Sequence, residues 1–338
     1  MALLIATVVS ASLVRVPYFT LSPGSVRQTQ PLIQVEDHPS YENDGAVDFT
    51  TVSLKRATAM EAVIGWLDPA VDVVEEDKIL GNQTQEQSRQ ENLREMVDSK
   101  EIATAVAIKR LGYEVKTTGK GALVLGVLPD TPAAQKLNPG DVVVGADGTP
   151  ISLADELVAA IATHAPGDEM VLRVEPAAGG EPSEVVVGLV PRTDDPERAM
   201  LGVSTSTRDL EFEYPFTVNI DSGSVGGPSA GLAFTLGVMD RLTPDSITGG
   251  VNVATTGTID SQGRVGPVGG VHQKTVAVRR SGANLFLVPS SELDEARKYA
   301  GDLRVEPVDT LDDALRVLAT VGGGTEVLVP PTPPTDGN

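Results

Sequence analysis

Alternating, helical and unbroken apolar patterns succeed one another along the chain. Residues 2–14 are apolar, with no charge before Arg15. That is short of the roughly 20 residues that a membrane-crossing helix needs, and a buried strand or helix and the tail of a membrane anchor are both open readings. From 15 to 57 the pattern is extended chain with turns. Leu21-Ser22-Pro23-Gly24-Ser25 signals a reversal, and residues 46–54 alternate as a strand does. A helix is expected over 60–67, closed by Asp68-Pro69, with Trp66 on its apolar face and in the core. Thr84-Gln85-Glu86-Gln87 has capping-box form and predicts a charged helix to about residue 97. Asp98-Ser99 predicts a restart, and the Ala/Ile/Val-rich helix that follows ends at Gly112.

After Tyr113 the texture turns to short strands. Residues 122–128 and 142–146 read as strands, separated by the turn Leu137-Asn138-Pro139-Gly140-Asp141 and closed by the hairpin turn Asp147-Gly148-Thr149-Pro150. A helix at 152–162 and strands near 170–175 and 184–190 complete this stretch. Asp194-Asp195-Pro196-Glu197 reads as a junction, and strands and helices alternate from 201 to about 319. The Gly- and Pro-rich close, 321–338, has the composition of a disordered linker.

At 338 residues the chain should fold as two or three compact units. Aromatics make up 4%, so Val, Leu, Ile and Ala must build the cores. A net charge of −21 argues against nucleic acid and disfavours anionic lipid. The absence of cysteine excludes disulfides, thiolate catalysis and cysteine-held zinc. Asp72, Glu75, Glu76 and Asp77 show no metal-ligand spacing and read as a charged loop, while His38 and His164 read as solvated.

Two residues carry candidate chemistry. Gly226-Gly227-Pro228-Ser229-Ala230-Gly231 places a serine at a braced chain reversal ahead of an apolar helix. Ser229 reads either as a helix cap, the commonest job of serine there, or as a nucleophile. First-turn amides would then hold the oxyanion, with Gly227, Pro228 and Ala230 as the oxyanion and substrate-binding positions. Lys274 follows Gly269-Gly270-Val271-His272-Gln273 and opens a helix with an apolar face. It reads either as a snorkelling surface lysine or as a desolvated amine able to serve as a base. Gly227-Pro228-Ser229-Ala230-Gly231 also satisfies Gly-x-Ser-x-Gly, but only His272 follows the serine and too little chain remains for an esterase sheet.

Val-Leu-Pro-Asp-Thr-Pro-Ala-Ala, Leu-Asn-Pro-Gly-Asp-Val-Val-Val and Asp-Gly-Thr-Pro-Ile together resemble a bacterial PDZ domain over about 117–192. The resemblance implies a groove in which an extended chain end adds a strand. Lys120-Gly121-Ala122, with Leu123, is the expected carboxylate-facing loop, a plain exposed turn being the other reading. Gly-Pro-Ser-Ala-Gly, then Thr255-Thr256-Gly257-Thr258-Ile259, Gly263-Arg264-Val265, Val268-Gly269-Gly270 with Lys274, and Asn284-Leu285-Phe286-Leu287-Val288-Pro289 resemble the proteolytic domain of the Lon family over about 201–318. The resemblance implies that Ser229 is the nucleophile, Lys274 the general base and Thr256 a hydroxyl close to the pair. It implies no metal and no cofactor, unfolded or extended polypeptides as substrates, and by family analogy a hexamer.

The family's acidic residue before the Gly-Pro step is Gly226 here, and its histidine-bearing strand corresponds to a stretch around Asn219 with no histidine. No Gly-x-x-x-x-Gly-Lys-Ser/Thr loop occurs, so ATP is not expected to be used. In order, the motifs resemble the membrane-anchored, PDZ-containing Lon-like proteases of bacteria. The expected fold is α+β and multidomain. Residues 1–14 would be an anchor remnant in the cell membrane, 15–116 a region packed on the others, 117–192 the PDZ domain, 197–320 the proteolytic domain and 321–338 a tail. The soluble part would lie outside the cytoplasm. A PDZ adaptor bearing a decayed protease domain is the non-enzymatic alternative.

Overall fold

The computed structural model describes residue 1 and residues 11–81, 83–193 and 195–324. The expected anchor lies mostly, and the expected tail mostly, outside the described residues. Among the described residues no helix is long and apolar enough to cross a membrane. The fold is α+β, and the chain divides into two compact units, 1–115 with 214–338, and 116–213. Residues 15–115 and 214–320, expected in separate regions, therefore share one unit, while 116 and 197–213 belong to the other.

The larger unit is built on a six-stranded sheet in the order Arg304–Val308, Leu285–Pro289, Asn252–Thr255, Ala46–Thr58, Arg15–Gln28, Asp72–Glu75. The first four strands run parallel and the last two join antiparallel. Successive side chains of a strand point to opposite faces. Leu285 and Leu287 thus enter one core with Val47, Phe49 and Val253, while Phe286 and Val288 enter another with Ala254 and Val305. A strand buried on both faces must be apolar throughout, which explains its unbroken hydrophobic run.

On one face lies the helix Gly231–Leu242, buried along nearly its whole length and covered by the second half of Gln85–Arg110. The opposite face carries Val271–Ser281 and Leu293–Ala300. Gly231 makes the first packing possible: a Cβ there would stand 2.9 Å from Ile259 N and 3.1 Å from Ser99 Oγ.

Three expectations are corrected. Gln85–Arg110 is one continuous helix capped by Thr84, with no restart at Asp98-Ser99. Ser99, where a restart was expected, is buried and donates to Pro228 O at 3.1 Å, so a tertiary acceptor satisfies its hydroxyl inside the helix. Leu21–Ser25 is no reversal but lies inside the strand Arg15–Gln28, where the register slips between Pro23 and Val26 as at a bulge. Trp66 is 63% exposed rather than core. The helix Ala59–Leu67 rests on Ala62 and Gly65, whose small size turns its large apolar face outward.

The smaller unit is a sheet running Ser183–Gly188, Glu169–Glu175, Val142–Ala146, Ala122–Val127, Val203–Thr207, with Thr149–Pro150 beside Val142–Ala146. Asp147 and Gly148 turn that hairpin with φ of 48° and 79°. The helix Ala154–Ile161 packs on the sheet through Leu157, in a core with Val143, Met170 and Leu172.

Candidate active site

The two faces of the larger sheet meet at the carboxyl end of the strand Asn252–Thr255. The chain continues there as Thr256-Gly257, held by Thr256 N–H to Leu287 O at 3.1 Å. Gly257 N–H donates to Ser229 O at 3.0 Å, and Leu232 N–H donates back to Gly257 O at 3.1 Å. These bonds fix the turn ahead of the helix Gly231–Leu242 against the strand end. From the other face, the helix Val271–Ser281 brings Lys274, which is only 2% exposed. Its Nζ donates to Thr256 Oγ1 at 3.0 Å, and Thr256 Oγ1 donates to Ser229 O at 3.2 Å. Thr256 is thus the polar bridge between the two helices.

Ser229 and Lys274 both line one 540 Å³ cleft, walled by Phe49, Thr50, Met96, Gly227 and Gly270 among others. Ser229 is half-buried, and neither hydrogen bond at its carbonyl uses its hydroxyl. Among the described residues no hydrogen bond joins Ser229 Oγ to Lys274 Nζ, and the helix takes no side-chain cap. The hydroxyl is not engaged as a helix cap.

Burial lowers the Lys274 amine from 10.5 to about 8, because desolvation penalises the ammonium; Glu292 opposes this by attraction. A neutral amine has two N–H bonds and one lone pair. Thr256 takes one N–H, which leaves the lone pair available for a hydroxyl proton. The same burial pushes the Glu292 carboxyl up, against the pull of Val268 N–H and Lys274.

The expected oxyanion positions differ among themselves. Gly227 N–H is committed to Asn92 O at 2.7 Å, in a backbone with φ of 86° that suits glycine. Pro228 has no N–H, and its carbonyl accepts from Ser99 Oγ and from Gly231 N–H. Ala230 stands at the helix N-cap, where its N–H and that of Ser229 form no hydrogen bond among the described residues. Those two amides are the donors the turn offers to an anion. Asn92, which lines the cleft, and Ser99 and Glu292, which hold its segments at Pro228 O and Val268 N–H, were not legible as site residues, since each comes to the site only through tertiary packing.

His272, the histidine an esterase would need, is buried against Tyr299 with ring centroids 3.6 Å apart and bonded to Gln273. It does not line the cleft. His38 is packed rather than solvated, stacked on Phe216 with Nε2 facing Tyr113 OH at 2.8 Å. His164 lies 3.2 Å from Asp147. In the acidic stretch Glu76 pairs with Arg56 and Glu75 with Lys78.

The smaller unit carries a 450 Å³ groove. Its walls are Leu157, Val158 and Ile161 from the helix, Val203 and Thr205 from the strand Val203–Thr207, and Leu201 just ahead of that strand. That strand is the last in its sheet, paired only with Ala122–Val127 among the described residues. Gly121, Ala122 and Leu123 do not line the groove. Gly121 N–H is bonded to Ser152 O, and Ala122 and Leu123 pair between Val142–Ala146 and Val203–Thr207, interior to the sheet. The groove strand lies beyond 117–192, and its signal was the alternating, β-branched Val203-Ser204-Thr205-Ser206-Thr207.

Residues 210–320 match the family profile of the Lon protease (S16) C-terminal proteolytic domain, and residues 109–187 match that of the PDZ domain. The chain thus carries a Lon-type proteolytic domain and a PDZ domain. Among similar proteins, Lon protease 1 of Myxococcus xanthus is 34% identical over 115 residues, covering 32% of this chain and 14% of the relative. Lon protease of Campylobacter concisus is 28% identical over 140 residues, covering 39% and 16%. The chain therefore spans only about a sixth of the length of these relatives. The PDZ domain of the SdrC-like protein from Listeria monocytogenes is 23% identical with a TM-score of 0.24, covering 27% of this chain and 92% of that one.

Proposed function

We propose that this protein is an ATP-independent serine endopeptidase of Lon type, with Ser229 as nucleophile and Lys274 as general base. The observation that carries the reading is a lysine amine buried at the wall of the cleft that holds Ser229 and bonded to the threonine that bonds the Ser229 carbonyl. The Lys274 lone pair takes the Ser229 hydroxyl proton as Oγ bonds to the scissile carbonyl carbon. The carbonyl π electrons move onto oxygen, which the free Ser229 and Ala230 amides face. As the tetrahedral species collapses, the C–N bond breaks and the lysine proton goes to the leaving amine. Water, deprotonated by the same amine, then bonds to the acyl carbon, the C–Oγ bond breaks, and the lysine proton returns to Oγ.

Purified protein is expected to cleave an unfolded polypeptide with no nucleotide present, and added ATP should leave the rate unchanged. A strict requirement for ATP would overturn the nucleotide-independent part. Since the folded amine titrates at about 8 and acts only when neutral, kcat/KM should rise with pH through about 8 and fall on the acid side. A flat profile between pH 6 and 9 would exclude this base.

The PDZ groove is read as a second substrate contact, in which an extended chain end adds a strand to Val203–Thr207. Val158 lines the groove from an exposed position, so Val158→Asp should leave the fold intact. Fluorescence polarisation should show about tenfold weaker binding of a peptide with a free carboxyl end and an apolar last residue. Equal affinity would place binding elsewhere.

A further inference from the structure

Glu292 is not used in the mechanism above, yet it is tied to the machinery on one side and unpartnered on the other. Its Oε1 accepts Val268 N–H at 2.8 Å. Val268 leads directly into Gly269 and Gly270, which line the cleft, and Gly270 O accepts the Lys274 amide at 2.9 Å. Its second oxygen, Oε2, is buried without a hydrogen-bond partner among the described residues. A buried carboxylate oxygen with no donor is costly unless a charge nearby compensates it.

The elements packed on the lysine's helix bring several other charged or titratable groups. Arg15, Tyr18 and Arg27 come from one strand, Asp48, Lys55 and Arg56 from its neighbour, and Asp294, Glu295, Arg297, Lys298 and Tyr299 from the adjoining helix. The helix itself adds His272, Arg279 and Arg280. Glu292 is bonded through Val268 N–H to the loop that opens the lysine's helix, and its carboxylate charge and the Lys274 ammonium favour one another.

We propose that Glu292 is a positioning residue for Lys274: its carboxylate steadies the lysine ammonium formed when the Ser229 proton is taken, while its other oxygen holds the loop 268–270 that lines the cleft. This rests on Lys274 being the base. A base in a dry site must carry a positive charge for the lifetime of the tetrahedral species, and a fixed opposite charge lowers the cost of that state. It also keeps the amine from becoming too weak a base to accept the proton.

The test is Glu292→Gln, in which the amide oxygen can still accept Val268 N–H but the charge is gone. The acid limb of kcat/KM should move down by about half a pH unit or more, and the plateau rate should fall. Glu292→Asp should return the limb toward wild type. A purely structural role would lower both variants without moving the limb, and a limb coincident with wild type in Glu292→Gln overturns the proposal.

A second measurement needs no activity. Urea denaturation of Glu292→Gln, Lys274→Met and the double variant should show coupling between the two sites at pH 7, where the amine is charged. The coupling should shrink at pH 9.5, where the amine is neutral. No coupling at pH 7 also overturns the proposal, even if Glu292→Gln is poorly folded. An inactive wild-type protein that still shows the coupling would sink the protease reading and leave the pairing standing.

Discussion

Ser229→Ala is expected to lower kcat/KM for an unfolded polypeptide by about 10⁴-fold or more, with thermal and urea transitions unchanged. The stability side follows from the site. The Ser229 hydroxyl forms no hydrogen bond among the described residues and caps no helix, so removing it breaks nothing in the fold. The loss of rate follows from the chemistry, because without Oγ no acyl-enzyme can form and only cleft binding and the turn amides remain. Lys274→Arg should be as severe. The guanidinium keeps the positive charge but cannot deprotonate in this pH range, so it supplies no base. Peptide hydrolysis followed by mass spectrometry checks both. Turnover within tenfold of wild type in either variant would remove that residue from the mechanism.

Phe234→Ala is expected to cost the larger unit about 3–5 kcal/mol. Phe234 is fully buried in the first turn of the helix Gly231–Leu242, and its ring lies 5.5 Å from that of Phe49 on the central sheet. Against a usual folding stability of about 5–15 kcal/mol, that is a large fraction. With two compact units, urea unfolding is best followed at probes in each, and only the transition of the unit holding residue 234 should move. The same helix presents Ser229 at its start, so hydrolysis by this variant should be lost at a lower temperature than in wild type. A change under 1 kcal/mol would mean that neighbouring side chains close the cavity.

Local signals were legible wherever a residue's own backbone chemistry settles the matter. The Thr84 capping box, the Asp147-Gly148 turn and the apolar helix after Ser229 all stand where their residue types require them. The long helix and Trp66 were misread for one reason: a local rule was overruled by a partner distant in sequence. Ser99 finds Pro228 O instead of capping, and Gly65 lets its helix lie flat on its small side. Gly121, Ala122 and Leu123 stand away from the groove of the smaller unit because pairing order assigns the edge strand, and no single strand announces its neighbours.

The site divides in the same way. Ser229, Lys274 and Thr256 were readable as residue types in an ordered set of motifs, since chain reversals and helix starts are local. Taken singly, the serine reads first as a helix cap and the lysine first as a surface amine. Only the tertiary structure shows that Ser229 caps no helix and that Lys274 is buried, because burial is a property of the assembled sheet. Two helices on opposite faces must converge on one strand end before the amine loses its water and drops to about 8. The sequence by itself determined which groups are present and which turns carry them. The fold decided that Lys274 is dry, that Thr256 bridges it to the Ser229 carbonyl, that Gly227 N–H is spent on Asn92, and that Glu292 stands within electrostatic reach. Desolvation and charge proximity depend on distances between segments far apart in the chain, and no local pattern encodes those.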